Sequence, residues 1–234
     1  MKNSNTAVLL AGGIGSRMGI KNKVKQLLSL RGETILEKTI SVFDKTKIFE
    51  RIIVTLPGHL VKSAGKYIDS KKFFTPIIFI EGGKTRQESS YNTLKKIKEL
   101  GGTKIVIIHD AVRPFINKDI IEDSVKSAEK YGASIVAVPA IDTLIETSGK
   151  FVKQILDRTK IFYTQTPQTF RYSLILKAHE TAIKNNITAA TDDAQLILNM
   201  KKPVAIVQGT YFNIKITNPI DYELAKIVSK KIKF

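Results

Sequence analysis

Short apolar, β-branched runs punctuate the chain at residues 7–11 (AVLLA), 51–56 (RIIVTL), 76–80 (PIIFI), 104–109 (KIVIIH), 133–139 (ASIVAVP) and 203–208 (PVAIVQ). None alternates polar with apolar positions. That pattern predicts strands buried on both faces, as in a parallel sheet. Helical spacing lies between them. Leu36, Ile40 and Phe43 repeat at i, i+4, i+7, and Ile121, Val125 and Ala128 do the same after an Asn117 N-cap. Ser173 opens a stretch that places Leu174, Ala178 and Ala182 on one face. Asn218-Pro219 reads as an N-cap followed by proline at the first helical position, leading into Leu224 and Val228.

Strand–helix alternation of this kind predicts an α/β fold: a Rossmann-like, open, mostly parallel twisted sheet with helices on both faces. One segment breaks the alternation. Residues 143–147 and 151–156 flank a Ser148-Gly149 turn and read as a β-hairpin, expected to project from the sheet as an arm over about residues 141–166. Nothing else divides the 234 residues, so a single domain over 1–234 is expected.

Composition narrows the chemistry. There are no cysteines, which excludes disulfides, thiolate nucleophiles and Cys-ligated metal, and fits a reducing cytoplasm. The three histidines, His59, His109 and His179, are far apart in sequence, against a poly-His metal site. No apolar run approaches the ~18 residues of a membrane span, so no membrane association is expected. The net charge of +17 rests on 31 Lys and only 7 Arg. Scattered lysine describes a solvated surface. A nucleic-acid partner would want aromatic stripes or a recognised motif, and neither is present.

The arginines are more selective: Arg17, Arg86, Arg113 and Arg158 each fall in a motif. The first is the glycine loop Leu10-Ala-Gly-Gly-Ile-Gly-Ser-Arg-Met-Gly19, directly after the first apolar run. Glycines let backbone N–H groups close around phosphate oxygens. The spacing satisfies neither the dinucleotide fingerprint, because residue 18 is Met, nor a phosphate loop ending at Gly83-Lys84-Thr85, because residue 78 is Ile. What remains is a glycine loop followed by Arg17 and Lys25, a fork and a point charge suited to a polyphosphate.

LLAGGIGSRMG with KQLLSL downstream resembles the N-terminal signature of sugar-phosphate nucleotidyltransferases. Six further segments narrow the likeness: Glu81-Gly-Gly-Lys-Thr-Arg86, His109-Asp-Ala-Val-Arg-Pro-Phe115, Val138-Pro-Ala-Ile-Asp-Thr143, Gln165-Thr-Pro-Gln168, Thr191-Asp-Asp193 and Asn213-Ile-Lys-Ile-Thr217. In that order they resemble the cytidylyltransferases of polyol phosphates, collinearly from about residue 6 to 227. The resemblance implies transfer of CMP from CTP to a polyol phosphate, with pyrophosphate leaving. Fixed cations and Mg²⁺ can supply that catalysis without a covalent intermediate.

The same resemblance implies roles. Arg17, Lys25, Arg158 and Lys215 would be catalytic cations. Nucleotide contacts would come from Ala11, Gly12, Gly13, Gly15, Gly82, Gly83, Ser89, Asp110 and Ala111, with Asp110 also holding Mg²⁺. Arg113, Thr143, Arg158 and Thr166 would bind the acceptor. Arg158 precedes Thr166 by eight residues, the family's separation. It implies a homodimer in which the arm carries Thr143 and Arg158 to the partner's site. Proton abstraction from a phosphate dianion is unnecessary, so His109 is expected to be a satisfied structural histidine and not a base. Arg86 is expected to order its loop.

Some positions depart from the family pattern. Val24 replaces its proline before Lys-Gln, and Lys84 stands where an acidic residue is common. Ala11-Gly12-Gly13 and the Arg17–Lys25 step lean toward ribitol 5-phosphate as acceptor. The segments at 138–143, 170–173 and 191–193 lean toward 2-C-methyl-D-erythritol 4-phosphate and the non-mevalonate isoprenoid pathway. The latter acceptor is preferred here, with ribitol 5-phosphate the alternative.

Overall fold

The structure, a computed structural model, describes residues 4–13, 24–188 and 190–231. In chain order the first half comprises β1 (Asn5–Leu10), the two-residue strands β2 (Ser29–Leu30) and β3 (Glu33–Thr34), α1 (Ile35–Thr46), β4 (Phe49–Leu56), α2 (Gly58–Val61), β5 (Ile77–Glu81), α3 (Arg86–Glu99) and β6 (Ile105–Asp110). Then come α4 (Lys118–Tyr131), β7 (Ala133–Pro139), β8 (Ile145–Ser148), β9 (Phe151–Ile155), β10 (Phe162–Arg171), α5 (Tyr172–Lys184), α6 (Asp193–Asn199), β11 (Ala205–Gln208) and α7 (Pro219–Lys231).

Seven strands form the main sheet in the order β11-β7-β10-β6-β1-β4-β5. All six apolar runs of the sequence are strands of this sheet, and they pair in parallel wherever they are neighbours. The predicted mostly parallel α/β sheet is the observed one. The seventh strand, β10, runs antiparallel between β6 and β7. It makes no apolar run because most of its buried positions are polar, Gln165, Thr166, Gln168 and Thr169, with Phe170 its one large apolar contribution to the core. Its register with β7 also shifts between Thr164 and Gln168.

Burial explains the absence of polar alternation. Ala7 and Leu9 of β1 face one core with Leu36, Ile40 and Phe43 of α1 and Ile121 and Val125 of α4. Val8 faces the other core, with Leu94 and Ile97 of α3 and Ile175 of α5. The central positions of β1 are covered on both sides in turn, so successive residues there are apolar and no polar alternation appears. Asn117 caps α4, accepting from Ile120 N at 2.9 Å, and Asn218 caps α7 from Asp221 N at 2.9 Å, as the sequence predicted.

The chain leaves β1 for β4 and β5 on one side, then returns to β6 on the other. Leu10 therefore lies level with Thr55 on one flank and Asp110 on the other. The crevice outside the carboxyl ends of such strands is where open α/β sheets place ligands. The predicted hairpin is β8–β9, with Gly149 at φ +60° in its two-residue turn. Its outward residues are bare: Phe151 is 79% exposed and Ile155 70%. Among the described residues no helix is long and apolar enough to cross a membrane.

Candidate active site

A cleft of about 290 Å³ opens beyond the carboxyl ends of β1, β5 and β6. Ala11, Gly12, Gly13, Lys25 and Gln26 line one wall, Gly83 to Arg86 with Ser89 the second, and Asp110 with Lys215 the third. Gly15 and Arg17 lie outside the described residues. Lys25 stands at the start of a 3₁₀ turn over Lys25–Leu27. The next residue, Gln26, is buried and donates from Nε2 to the carbonyl of Ala11, tying that turn to the end of β1. Ala11 N donates to Thr55 O, so the loop leaves the sheet at a fixed angle.

The glycines are close-approach positions. A Cβ on Gly82 would lie 3.2 Å from Ser89 Oγ and 3.4 Å from Gly12 Cα. The two glycine segments thus pass backbone against backbone, and no side chain separates them from the cleft. Ser89 lies beneath its loop: its hydroxyl accepts from Gly83 N at 2.9 Å and donates to Thr85 O at 2.9 Å. Thr85 caps α3, accepting from Glu88 N at 3.1 Å. Glu88 takes Lys84 N at 2.7 Å, so the loop carrying Lys84 is pinned at both ends.

The opposite wall is ionic. Asp110 Oδ2 meets Lys215 Nζ at 2.9 Å and Arg113 Nε at 3.3 Å. Burial opposes the charge on Asp110, but Lys215, Arg113 and Arg86 outweigh it and hold the carboxyl well below the ordinary carboxylate range. Arg113 Nη1 donates to Asn213 O at 2.7 Å. Asn213, fully buried, donates to Thr166 O at 2.8 Å and to Gln165 Oε1 at 3.1 Å. This anchorage brings Lys215, two residues on, to Asp110.

Thr166 does not line the cleft. It is buried, and its hydroxyl accepts from Asp110 N at 3.0 Å and meets His109 Nδ1 at 3.1 Å. His109 Nε2 reaches Arg113 O at 3.1 Å. Burial pushes the ring's pKa down to about 4, so it is a satisfied neutral histidine, as expected. Ala111 is fully buried; its N–H donates to Leu10 O, and its carbonyl accepts from Thr39 Oγ1. Both its backbone groups are taken, and it belongs to the core behind the cleft wall. Thr143 and Arg158 are exposed at the root of the arm, and neither lines this chain's cleft.

Arg86 does more than order a loop. Its Nη1 lies 2.7 Å from Asp193 Oδ2, which also accepts from Ser90 Oγ at 3.2 Å, while Oδ1 takes His179 Nε2 at 3.0 Å. The segment Thr191-Asp-Asp193 carries part of the family resemblance but no role in the sequence alone. The usable signal was an acidic pair heading the apolar helix α6, which needs a cation or a cap. Asp192, the other acid, accepts from Gln168 Nε2 at 2.7 Å. Metal ligands are sparse: among the described residues no three of His, Cys, Asp and Glu gather as an ion site. A single cleft carboxylate still suits Mg²⁺, which binds through one or two carboxylates plus substrate phosphates.

A glycine-walled cleft at the switch point of a parallel sheet, rimmed by lysines and one carboxylate, defines a phosphate-handling enzyme of the nucleotidyltransferase class. Comparison with known proteins makes this particular. The family profile described as 2-C-methyl-D-erythritol 4-phosphate cytidylyltransferase matches residues 6–231. The chain belongs to that family. The enzyme of that name from Clostridium acetobutylicum is 38% identical over 229 residues, 97% of this chain and 98% of its own. That from Geobacillus kaustophilus is 38% identical over 222 residues, 95% of each chain. Among solved structures, the Thermus thermophilus enzyme is 30% identical with TM-score 0.77, covering 98% of this chain and 100% of its own. The 4-diphosphocytidyl-2C-methyl-D-erythritol synthase of Anaerococcus prevotii superposes with TM-score 0.85 at 25% identity, over 97% of this chain and 98% of its own.

Proposed function

We propose that the cleft transfers CMP from CTP to 2-C-methyl-D-erythritol 4-phosphate, releasing pyrophosphate, in isoprenoid precursor synthesis. The observation that carries this reading is the meeting of Ala11–Gly13, Lys25 and the Asp110–Lys215 pair around one cleft in a chain of this family. The acceptor phosphate attacks the α-phosphorus of CTP in line, and the barrier is charge brought together and charge developed. The backbone of Gly12 and Gly13 receives the nucleotide against the close-packed Gly82–Gly83 wall, and Lys25 neutralises the triphosphate. Asp110 would hold Mg²⁺, which supplies the remaining neutralisation of the phosphates. Lys215, the exposed member of its pair with Asp110, would meet the acceptor phosphate.

The acceptor end is completed by a second copy. Thr143 and Arg158 stand outside this chain's cleft, and β8–β9 exposes Phe151, Val152 and Ile155, an apolar surface suited to burial against another subunit. An arm-exchanged homodimer accommodates both features. A cytoplasmic setting fits the absence of cysteine and the metabolic substrates.

Incubation with CTP, Mg²⁺ and either 2-C-methyl-D-erythritol 4-phosphate or ribitol 5-phosphate, with products identified by mass, tests the assignment. The expected outcome is the CDP-methylerythritol product with stoichiometric pyrophosphate. Faster turnover of ribitol 5-phosphate, or no pyrophosphate with either acceptor, overturns it.

A further inference from the structure

The segment that carries Lys215 is held at more points than its helix requires. Asn218 Oδ1 accepts from Asp221 N at 2.9 Å, and Asp221 Oδ2 accepts from Asn218 N at 3.0 Å, a reciprocal box that caps α7. The same Asp221 oxygen also accepts from Thr217 N at 2.7 Å and from the Thr217 hydroxyl. Thr217 precedes the cap and lies outside the helix, so these two bonds add nothing to the cap. They fix the chain two residues from Lys215. Just upstream, Ile216 is fully buried and its N–H donates to Val112 O at 3.0 Å. Burial opposes the charge on Asp221, but its Thr217 and Asn218 donors and the Lys25 ammonium lower its pKa below the ordinary carboxylate value.

We propose that Asp221 is a positioning residue for nucleotide transfer, fixing the strut over residues 213–218 so that Lys215 Nζ stands at Asp110. The inference rests on the reading of Lys215 as a cation of the transfer site. Neither Asp221 nor Thr217 lines the cleft, and both act through the backbone. Asp221 can serve as a reference because α7 is itself docked. Its Ala225 and Val228 pack with Leu30, Ile35 and Ile216 in a small core of their own. Tyr222 donates from its hydroxyl to Ser29 O, and Arg31 Nη1 donates to Ser229 O at 2.7 Å. The helix is thus tied to the chain that leaves the Lys25 turn, and Asp221 transmits that position to the opposite wall. The Lys215 side chain is 39% exposed, which leaves its backbone to set where the ammonium stands. Without Asp221 the Thr217 N–H and hydroxyl lose their common acceptor, and the strut loses its hold on the α7 side. A displacement of about 1 Å at a reacting group lowers turnover about 100-fold.

The test compares Asp221→Ala, Asp221→Asn, Asn218→Ala, Lys215→Ala and the Asp221→Ala/Lys215→Ala double variant, by kcat and KM for each substrate and by thermal unfolding. Asn218→Ala and Asp221→Ala each open the capping box and are expected to lower Tm by about 2–4 °C. Only Asp221→Ala releases Thr217. It is expected to lower kcat about 100-fold with KM for CTP within about threefold, while Asn218→Ala turns over within about threefold of wild type. Asp221→Asn, which keeps an oxygen at the same reach, is expected to recover most of the loss. The double variant is expected to be no slower than Lys215→Ala, because Asp221 works through that lysine. Losses that multiply in the double variant, equal losses of turnover in Asn218→Ala and Asp221→Ala, or wild-type-like turnover in Asp221→Ala would each overturn the proposal. Should Asp221→Ala not fold, Thr217→Val decides the matter, since it removes one of the Thr217 bonds and leaves the box intact. Turnover about tenfold below wild type at unchanged Tm then upholds the proposal, and wild-type turnover overturns it. Lys215→Ala separates the two levels: wild-type turnover there removes Lys215 from the site and the proposal with it, whereas its loss beside an active Asp221→Ala removes only the positioning role.

Discussion

Lys215 Nζ sits 2.9 Å from Asp110 Oδ2, a contact between residues more than a hundred positions apart that joins the β6 terminus to the segment before α7. The lysine side chain is 39% exposed while the aspartate is 10% exposed, so the pair has a wet end and a dry end. Lys215→Ala removes the wet end. Asp110 keeps Arg113, and the fold should lose only about 1 kcal/mol, a shift of about 2–4 °C in Tm. Turnover should fall about 10²- to 10³-fold if the ammonium meets phosphate in the transition state. Steady-state pyrophosphate release and a melting curve on the same preparation check both halves.

Lys25 is held by its turn and by Gln26 rather than by the core. Lys25→Ala should therefore leave Tm within a few degrees while lowering kcat/KM about 10²- to 10³-fold, since a preorganised cation is lost from the triphosphate. Lys25→Arg should recover little, because a planar fork replaces a point charge in a glycine-walled space. Wild-type-like turnover in the alanine variant would remove Lys25 from the mechanism.

The Arg86–Asp193 pair predicts a stability effect with a defined pH direction. Burial opposes the charge on Asp193, but Arg86 and His179 outweigh it and lower its pKa below the ordinary 3.8. A depressed carboxyl stabilises the fold above its unfolded pKa, and that stability is lost as pH falls through about 4 toward the folded value. Asp193→Asn should cost about 3–5 kcal/mol at pH 7, because it leaves the Arg86 charge buried without its partner. The variant's Tm should also decline less than wild type between pH 5 and pH 3. Parallel Tm profiles in wild type and variant across that interval would count against the pair.

What was legible in the sequence follows from how each element is buried. Strands covered on both faces must be apolar throughout, so the six runs declared themselves. The helices α1 and α4 carry wide apolar stripes, and Asn117 and Asn218 mark the starts of α4 and α7. Among the elements that stayed hidden, three have particular physical reasons. β10 buries Gln165, Thr166, Gln168 and Thr169 because it is the strand that wires the site together, and a buried polar strand has no hydrophobic period. α3 buries Gln87, Ser89, Ser90 and Thr93 on the face toward the cleft and α5, leaving Leu94 and Ile97 to signal a helix alone. α6 is seven residues long, too short for a period to show. The site was legible where backbone chemistry dictates residue type, at Gly12, Gly13, Gly82 and Gly83. It was not legible where a side chain works behind another: Ser89 beneath its loop, Thr166 beneath Asp110, and Asp193 behind Arg86 reveal their partners only in three dimensions.

The proposed arm exchange makes the most discriminating prediction. Arg158 is exposed at the root of the arm and donates from Nη1 to Ile141 O at 3.2 Å, whereas Lys215 lines the cleft. If the arm delivers Arg158 to the partner, Arg158→Ala and Lys215→Ala dimers are each inactive, because every site carries one lesion. A heterodimer of the two places both lesions in one site and leaves the other intact. Random reassortment of equal amounts in a two-fold dimer should restore about one quarter of wild-type activity. If instead each site were built from one chain, every site in the heterodimer would still carry a lesion and mixing would restore nothing. Co-expressing the two variants with different affinity tags, isolating the doubly tagged dimer and assaying it directly distinguishes the cases. Per dimer, activity near half of wild type supports exchange, and activity at the level of the parent variants rules it out.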